Sequence, residues 1–188
     1  MIELKNIEFS YGQQKILKDF SLSINDGQCV QLSGVSGSGK TSVARLILGL
    51  EKPQKGQIIA PPKISCVFQE DRLLENLDAQ KNIRLVLSKD KYALADDLLK
   101  LFGLYEHRKK KVSQLSGGMK RRISLIRAIT YGGDALILDE AFTGLDLENK
   151  RIAADVIKRE FLDKNKSILL ISHVTEDGDL LNAKIVNI

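Results

Sequence analysis

The sequence predicts an α/β domain: a mostly parallel sheet, an antiparallel β subdomain at the N-terminal end and an inserted helical subdomain. Three observations carry this. In the second half, continuous apolar runs such as Ala135–Leu138 and Ser167–Ile171 alternate with helical periodicity, the pattern of a parallel sheet covered by helices. Residues 1–33 alternate apolar and polar positions over short runs, as half-buried antiparallel strands do. From about 74 to 112 the period becomes helical. Aromatic residues make up 5% of the chain and Trp is absent, so the core is expected to be aliphatic.

Ile2, Leu4 and Ile7 read as a first strand and Leu17 to Ile24 as a second, closed by an Asn25-Asp26-Gly27 turn. Cys29–Leu32 is a short strand running into a glycine-rich loop. Lys40–Leu50 reads as a helix, stopped by Gly49 and Pro53. Gln57–Ile59 and Ile64–Phe68 are strands separated by Pro61-Pro62. In the helical stretch, Leu94, Leu98 and Leu101 share a face with Ala95, Leu99 and Phe102, and Gly103 is a plausible stop. Ser116 opens a helix to about Thr130, Leu147–Phe161 is an amphipathic helix, and Lys184–Ile188 is a last strand. With 188 residues this is one domain, a core of 1–73 and 131–188 holding a helical subdomain at about 74–130.

The net charge of +5 is small for the length and fits a slightly basic surface. The clusters Arg108-Lys109-Lys110-Lys111 and Lys120-Arg121-Arg122 lack the interleaved aromatics of a nucleic-acid surface, so no nucleic-acid partner is expected. Cys29 and Cys66 lie in strand-like stretches and read as two buried, reduced thiols. Charges run through the first residues, so no secretory leader is expected. No apolar run approaches the length of a spanning helix, so no direct membrane insertion is expected.

The strongest local signal is Gly34-Val35-Ser36-Gly37-Ser38-Gly39-Lys40-Thr41, which fits G-x-x-x-x-G-K-[ST] between a strand and a helix. Glycines allow consecutive backbone N–H groups to turn inward around an anion. The following helix adds about half a positive charge at its N-terminus. Lys40 is expected to reach the β- and γ-phosphates, Thr41 to ligate Mg²⁺ and Ser42 to add a phosphate contact. This makes the chain a P-loop NTPase in expectation, and says no more.

Downstream, Ala135–Leu138 would carry Asp139 and Glu140 to the end of a buried strand beside that loop. Asp139 fits the Mg²⁺-associated acid and Glu140 a general base that polarises the attacking water. Between these two segments, Ser116-Gly117-Gly118 sits at the start of a helix, a second anion-binding terminus. It can also be an ordinary Ser cap with two glycines. One nucleotide does not need two such cradles from one chain, whereas two copies meeting head to tail would use both.

In combination these segments resemble the ATP-binding subunits of ABC transporters over nearly the whole chain. Gly34–Thr41 looks like Walker A, Gln69 the Q-loop glutamine, Leu115–Met119 the LSGGQ signature, and Leu136–Glu140 Walker B with its catalytic glutamate. Gly144-Leu145-Asp146 looks like the D-loop and His173 the switch histidine, while Tyr11 is placed like the aromatic residue that stacks on adenine. The stretch Phe68–Leu74 further resembles the nitrate/sulfonate/taurine group of importers. The resemblance implies that Gln69 contacts Mg²⁺ and the water, that His173 holds the γ-phosphate and Glu140, and that Asp146 signals across a dimer. Met119 departs from the family's glutamine, but Ser116-Gly117-Gly118 is intact. It implies ATP and Mg²⁺ as ligands, a homodimer or heterodimer of such subunits, and an integral membrane permease as partner. The chain would then be cytoplasmic and peripheral on the inner face of the cell membrane. The rival readings are a soluble ABC ATPase acting on nucleic acid or ribosomes, and a nucleotide sensor without turnover.

Overall fold

Apolar side chains of the parallel strands alternate between two cores, one on each face of the central sheet. The computed structural model describes residues 1–188. Strands β1 (Ile2–Tyr11) and β2 (Gln14–Ile24) form an antiparallel hairpin. In β1 the buried residues are Ile2 and Leu4, then Ile7 and Phe9, so the two-residue period changes phase midway. Register shifts after Leu4, with Asn6 at φ 48°, account for it: a bulge re-aims the second half of the strand at the same core.

Strand β3 (Cys29–Ser33) leads through the glycine loop to helix α1 (Lys40–Ile47), followed by β4 (Lys55–Ile59) and β5 (Ile64–Val67). Helix α1 stops three residues before the expected Leu50, because Gly49 turns the chain at φ 68°. The insertion holds α2 (Ala79–Arg84), α3 (Tyr92–Leu101) and α4 (Gly117–Tyr131), joined by short 3₁₀ turns. Then come β6 (Ala135–Asp139), α5 (Leu147–Ile157), β7 (Ser167–Ile171), α6 (Thr175–Leu180) and β8 (Lys184–Asn187). The helix expected over Leu147–Phe161 instead gives way to a π-turn at Lys158–Leu162. The wider turn leaves Phe161 fully buried. Helix α6 was not expected; its sequence TEDGDL has no apolar period.

The sheets are a three-stranded antiparallel one, β2-β1-β4, and a five-stranded parallel one, β5-β6-β7-β3-β8. On β6, Leu136 and Leu138 face the helical insertion while Ala135 and Ile137 face α1 and the antiparallel sheet. Ile168 and Leu170 on β7 divide from Leu169 and Ile171 in the same way. The insertion's Ile83, Leu98, Leu99 and Phe102 belong to the same continuous core as Leu136 and Leu138, so it packs on the sheet directly. Each fully buried aliphatic side chain here contributes about 1.5–3 kcal/mol.

Of the two thiols, Cys29 is buried as expected, but Cys66 is only half-buried, because β5 is the edge strand. Desolvation pushes both thiols up to about 12, so neither is a ready nucleophile at neutral pH. No helix is long and apolar enough to cross a membrane.

Candidate functional site

The parallel topology ends β3, β6 and β7 at one edge, where loops bring distant residues together. A cavity of about 330 Å³ opens there, lined by Ser36, Gly37, Gly39, Lys40, Thr41, Ser42, Gln69, Asp139, Glu140 and His173, with Gln14, Ile16 and Ile171. Gly34, Val35 and Ser38 complete the loop without lining the cavity; Val35 points out and is 76% exposed. Gly39 is the N-cap of α1 at φ 105°. A Cβ there would lie 2.8 Å from Ile16 Cγ2, so both its dihedral and its neighbour require glycine. Lys40 is buried, and its Nζ donates to the carbonyls of Gly34 (2.9 Å) and Val35 (2.8 Å) across the loop.

Asp139 is 3% exposed, and its Oδ1 is buried without a hydrogen-bond partner. Burial raises its pKa above the usual carboxylate range, against the lowering pull of the Thr41 hydroxyl, with the adjacent Glu140 raising it further. Such a carboxylate is poised for a cation or a proton donor. Glu140 sits at φ 51°, a left-handed conformation that costs a non-glycine residue about 1 kcal/mol or more. Its backbone N–H donates to the Ile171 carbonyl (2.9 Å) and its Oε2 accepts from the Thr143 hydroxyl (3.2 Å). Its Oε1 faces His173 Nε2 at 3.5 Å. The sharp turn after Asp139 thus swings Glu140 out of the strand line toward His173.

Ser116, Gly117, Gly118 and Asp146 do not line this cavity. They form a second cluster of their own. Ser116 caps α4, its Oγ accepting from the Met119 N–H at 3.3 Å, and Ser116 and Gly117 are exposed. A Cβ on Gly118 would lie 3.2 Å from the Gly144 carbonyl, which puts the two glycine turns side by side. Asp146 caps α5, accepting from the Asn149 backbone N–H (2.8 Å) and side-chain amide, and these bonds hold its carboxyl below the usual range. Arg122 joins the two caps: its guanidinium donates to the carbonyls of Gly118 (3.3 Å) and Phe102 (2.8 Å) and to Asn149 Oδ1 (3.3 Å).

The segment carrying Gln69 is fastened to the flank of α4. Arg121 donates to the Phe68 (2.8 Å) and Gln69 (2.6 Å) carbonyls, and Arg127 to those of Asp71 (3.0 Å) and Arg72 (3.0 Å). These arginines escaped the sequence reading, where Arg121 figured only within a basic run. Tyr11 lies outside the cavity lining, 43% exposed and edge-on to Phe9 at 4.8 Å; its hairpin instead sends Gln14 and Ile16 to the cavity wall. No motif spacing marks that pair.

Comparison with known proteins places the chain in a family. The family model described as ABC transporter matches residues 17–143, more than half of the chain. The Nod factor export ATP-binding protein I of Burkholderia orbicola is 33% identical, covering 96% of this chain and 65% of its own length. The aliphatic sulfonates import ATP-binding protein SsuB 1 of Shouchella clausii is 29% identical, covering 100% and 82%. The spermidine/putrescine import ATP-binding protein PotA of Legionella pneumophila is 32% identical, covering 99% and 56%. The chain therefore spans less than two thirds of the length of two of these three relatives. In structure, an ATP-binding subunit of an ABC transporter superposes with a TM-score of 0.92 at 24% identity, over 100% of this chain and 85% of that one. A bacterial ABC transporter cassette solved as a dimer does so at 0.87 and 24%, over 100% and 94%. With the family match spanning the phosphate loop, the serine–diglycine helix and the paired acids alike, the chain belongs to the ABC transporter family and is an ATP-binding domain of it.

Proposed function

We propose that this domain hydrolyses ATP in a head-to-tail dimer and thereby drives transport through an integral membrane permease. The observation that carries the proposal is that one chain holds two glycine-lined helix termini that do not share a cavity. The exposed Ser116 and Gly117 have a surface to offer only to another molecule, and a second copy's phosphate loop is the complementary surface. A closely related subunit would complete the same pair as a heterodimer.

The backbone from Gly34 to Thr41, with Lys40 and Ser42, holds the β- and γ-phosphates, and Tyr11 offers a ring on the adenine side. Thr41, Gln69 and Asp139 would hold Mg²⁺, which supplies charge neutralisation on the phosphates. The fit is supported by an all-oxygen donor set and by the unpartnered Asp139 Oδ1. No group of three or more His, Cys, Asp or Glu side chains is placed to hold a metal ion by itself, so an ion here would be held in large part by its substrate. Glu140 takes the proton of the attacking water, His173 holds Glu140 and the γ-phosphate, and Ser116–Gly118 of the second copy closes on the same group. Asp146, beside that seam, relays closure between the copies.

Relatives named as import and export ATP-binding proteins support the transport role. For the permease, an apolar groove of about 270 Å³ supplies a seat: Leu48, Ile64, Cys66, Phe68, Val86 and Tyr131 line it beside the segment that carries Gln69. Such a chain works at the cytoplasmic side of the cell membrane, held there by the permease, without nucleic acid. Glu140→Gln tests the reading: ATP binding persists, turnover falls by about a hundredfold or more, and gel filtration in ATP shows a trapped dimer. Unchanged turnover would remove Glu140 from the chemistry, and a strictly monomeric variant would remove the dimer.

A further inference from the structure

His173 is 51% exposed at its side chain, and its one ion-pair partner, Glu140, stands at 3.5 Å. Its place is therefore set by the backbone that carries it rather than by packing of the ring. That backbone is held from two sides. Gln31, 2% exposed on β3, donates its Nε2 to the Ser172 carbonyl (3.3 Å) and to the Val174 carbonyl (3.0 Å). One amide thus ties down the residues immediately before and after His173. On the other side, the Ser172 hydroxyl accepts from the Val174 N–H (3.1 Å) and donates to Asp177 Oδ2 (2.7 Å). Asp177 is 2% exposed and pairs through Oδ1 with Lys150 Nζ at 2.7 Å. A buried charge so fully engaged holds its neighbours in one geometry.

The anchors connect to the two ends of the site. Gln31 belongs to the strand that runs into the phosphate loop, and Lys150 to the helix capped by Asp146. Neither Gln31 nor Asp177 lines the cavity, so neither is placed to touch nucleotide. Room for the amide comes from Gly178: a Cβ there would overlap Gln31 Oε1, which is buried and otherwise unpartnered.

We propose that Gln31 and the Lys150–Asp177–Ser172 chain are positioning residues for hydrolysis: they fix loop 172–174 between β3 and α5 and so keep His173 Nε2 within reach of Glu140. This rests on the reading of Glu140 and His173 as the hydrolytic pair. Gly178 is part of the device, because its missing side chain leaves Gln31 free to reach both carbonyls.

The test uses the full chain with Mg²⁺ and ATP, reading kcat, KM and Tm for six variants, with Gln31→Ala alone as the baseline for the double substitution. Gln31→Met keeps volume and removes the donor. Asp177→Asn removes the charge. Gly178→Ala pushes the Gln31 amide, and Gln31→Ala/Gly178→Ala relieves that push. His173→Ala is the reference. The expected result is that His173→Ala loses most turnover. Gln31→Met, Asp177→Asn and Gly178→Ala each lower kcat by about tenfold or more at nearly unchanged KM, since small misplacements near a reacting centre have effects of that size. Adding Gly178→Ala to Gln31→Ala then lowers kcat no further. If His173→Ala loses turnover while Gln31→Met and Gly178→Ala keep kcat, or change only Tm, the positioning role is overturned. If His173→Ala keeps turnover, the hydrolytic reading of His173 fails first, and the positioning role falls with it. Should Asp177→Asn not fold, Gln31→Met and Gly178→Ala still decide the outcome.

Discussion

The two glycine-lined helix starts, at α1 and at α4, have similar composition and opposite construction. At α1 the cap is Gly39 with no side-chain hydrogen bond, set at φ 105° and pressed on Ile16, and the next residue, Lys40, is buried. At α4 the cap is Ser116, which satisfies the Met119 N–H itself, and Gly117 has nothing within 4 Å of where a Cβ would stand. The first terminus is enclosed by its own chain and keeps its N–H groups for a ligand inside a cavity. The second is self-sufficient as a helix end and open outward. Glycine serves backbone shape in one case and leaves open space in the other.

Substitutions can break or sharpen this contrast. Gly39→Ala has the largest expected effect: about 2–3 kcal/mol of stability lost, from positive φ plus the clash with Ile16. ATP affinity is lost with it, and thermal melts with a nucleotide titration would detect both. Ser116→Ala removes a cap worth about 1 kcal/mol, read as a lower Tm of the free chain together with weaker ATP-dependent dimer formation. A Tm unchanged in the free chain would mean that Ser116 is not serving as a cap in solution.

Asp139→Asn moves the other way at the enclosed end. Because burial raises the Asp139 pKa in the folded chain, its ionised form opposes folding at neutral pH. The neutral amide raises Tm by about 2–4 °C at pH 7, the equivalent of roughly 1 kcal/mol in a chain of this size. The gap to the parent closes as pH falls and the carboxyl takes up its proton in the folded state. Mg²⁺-dependent turnover is lost in the same variant, the trade expected where a site is built at the expense of stability. Gly117→Ala has the smallest effect on the free chain, a gain of about 0.4–1 kcal/mol, because it sits in a helix with open space around it. Its turnover falls nonetheless, since in the proposed dimer the added methyl stands on the face that meets the second copy. Stabilisation with full turnover would return the diglycine to the role of a simple helix start.

Legibility in the sequence followed contiguity. The phosphate loop and the Asp139-Glu140 pair lie in unbroken stretches whose neighbours supply a strand and a turn, so residue type and spacing sufficed. The unbroken apolar runs Ala135–Leu138 and Ser167–Ile171 likewise foretold buried parallel strands, and both faces of their sheet are covered. His173 and Tyr11 were singled out only through family likeness; of the two, His173 reaches the cavity and Tyr11 does not line it. Gln31 could not be read at all. Its polar side chain interrupts an apolar run, and its partners lie 141 and 143 residues away. Nor could the left-handed turn at Glu140, where sheet geometry overrides an ordinary residue's preference. Helix α6 carries too few apolar residues to announce itself; it is held instead by Asp177 and by Gly178 against Gln31.

Helix α4 has one further consequence. Its first turn presents Ser116 and Gly117, Arg122 binds that turn to the start of α5, and Arg121 and Arg127 grip the 68–72 strap along its side. A single stiff rod therefore links the strap to the exposed Ser116–Gly117 end. Displacement of the strap by a bound neighbour would be delivered at the rod's far tip as a change in aim, without any strand of the sheet having to bend.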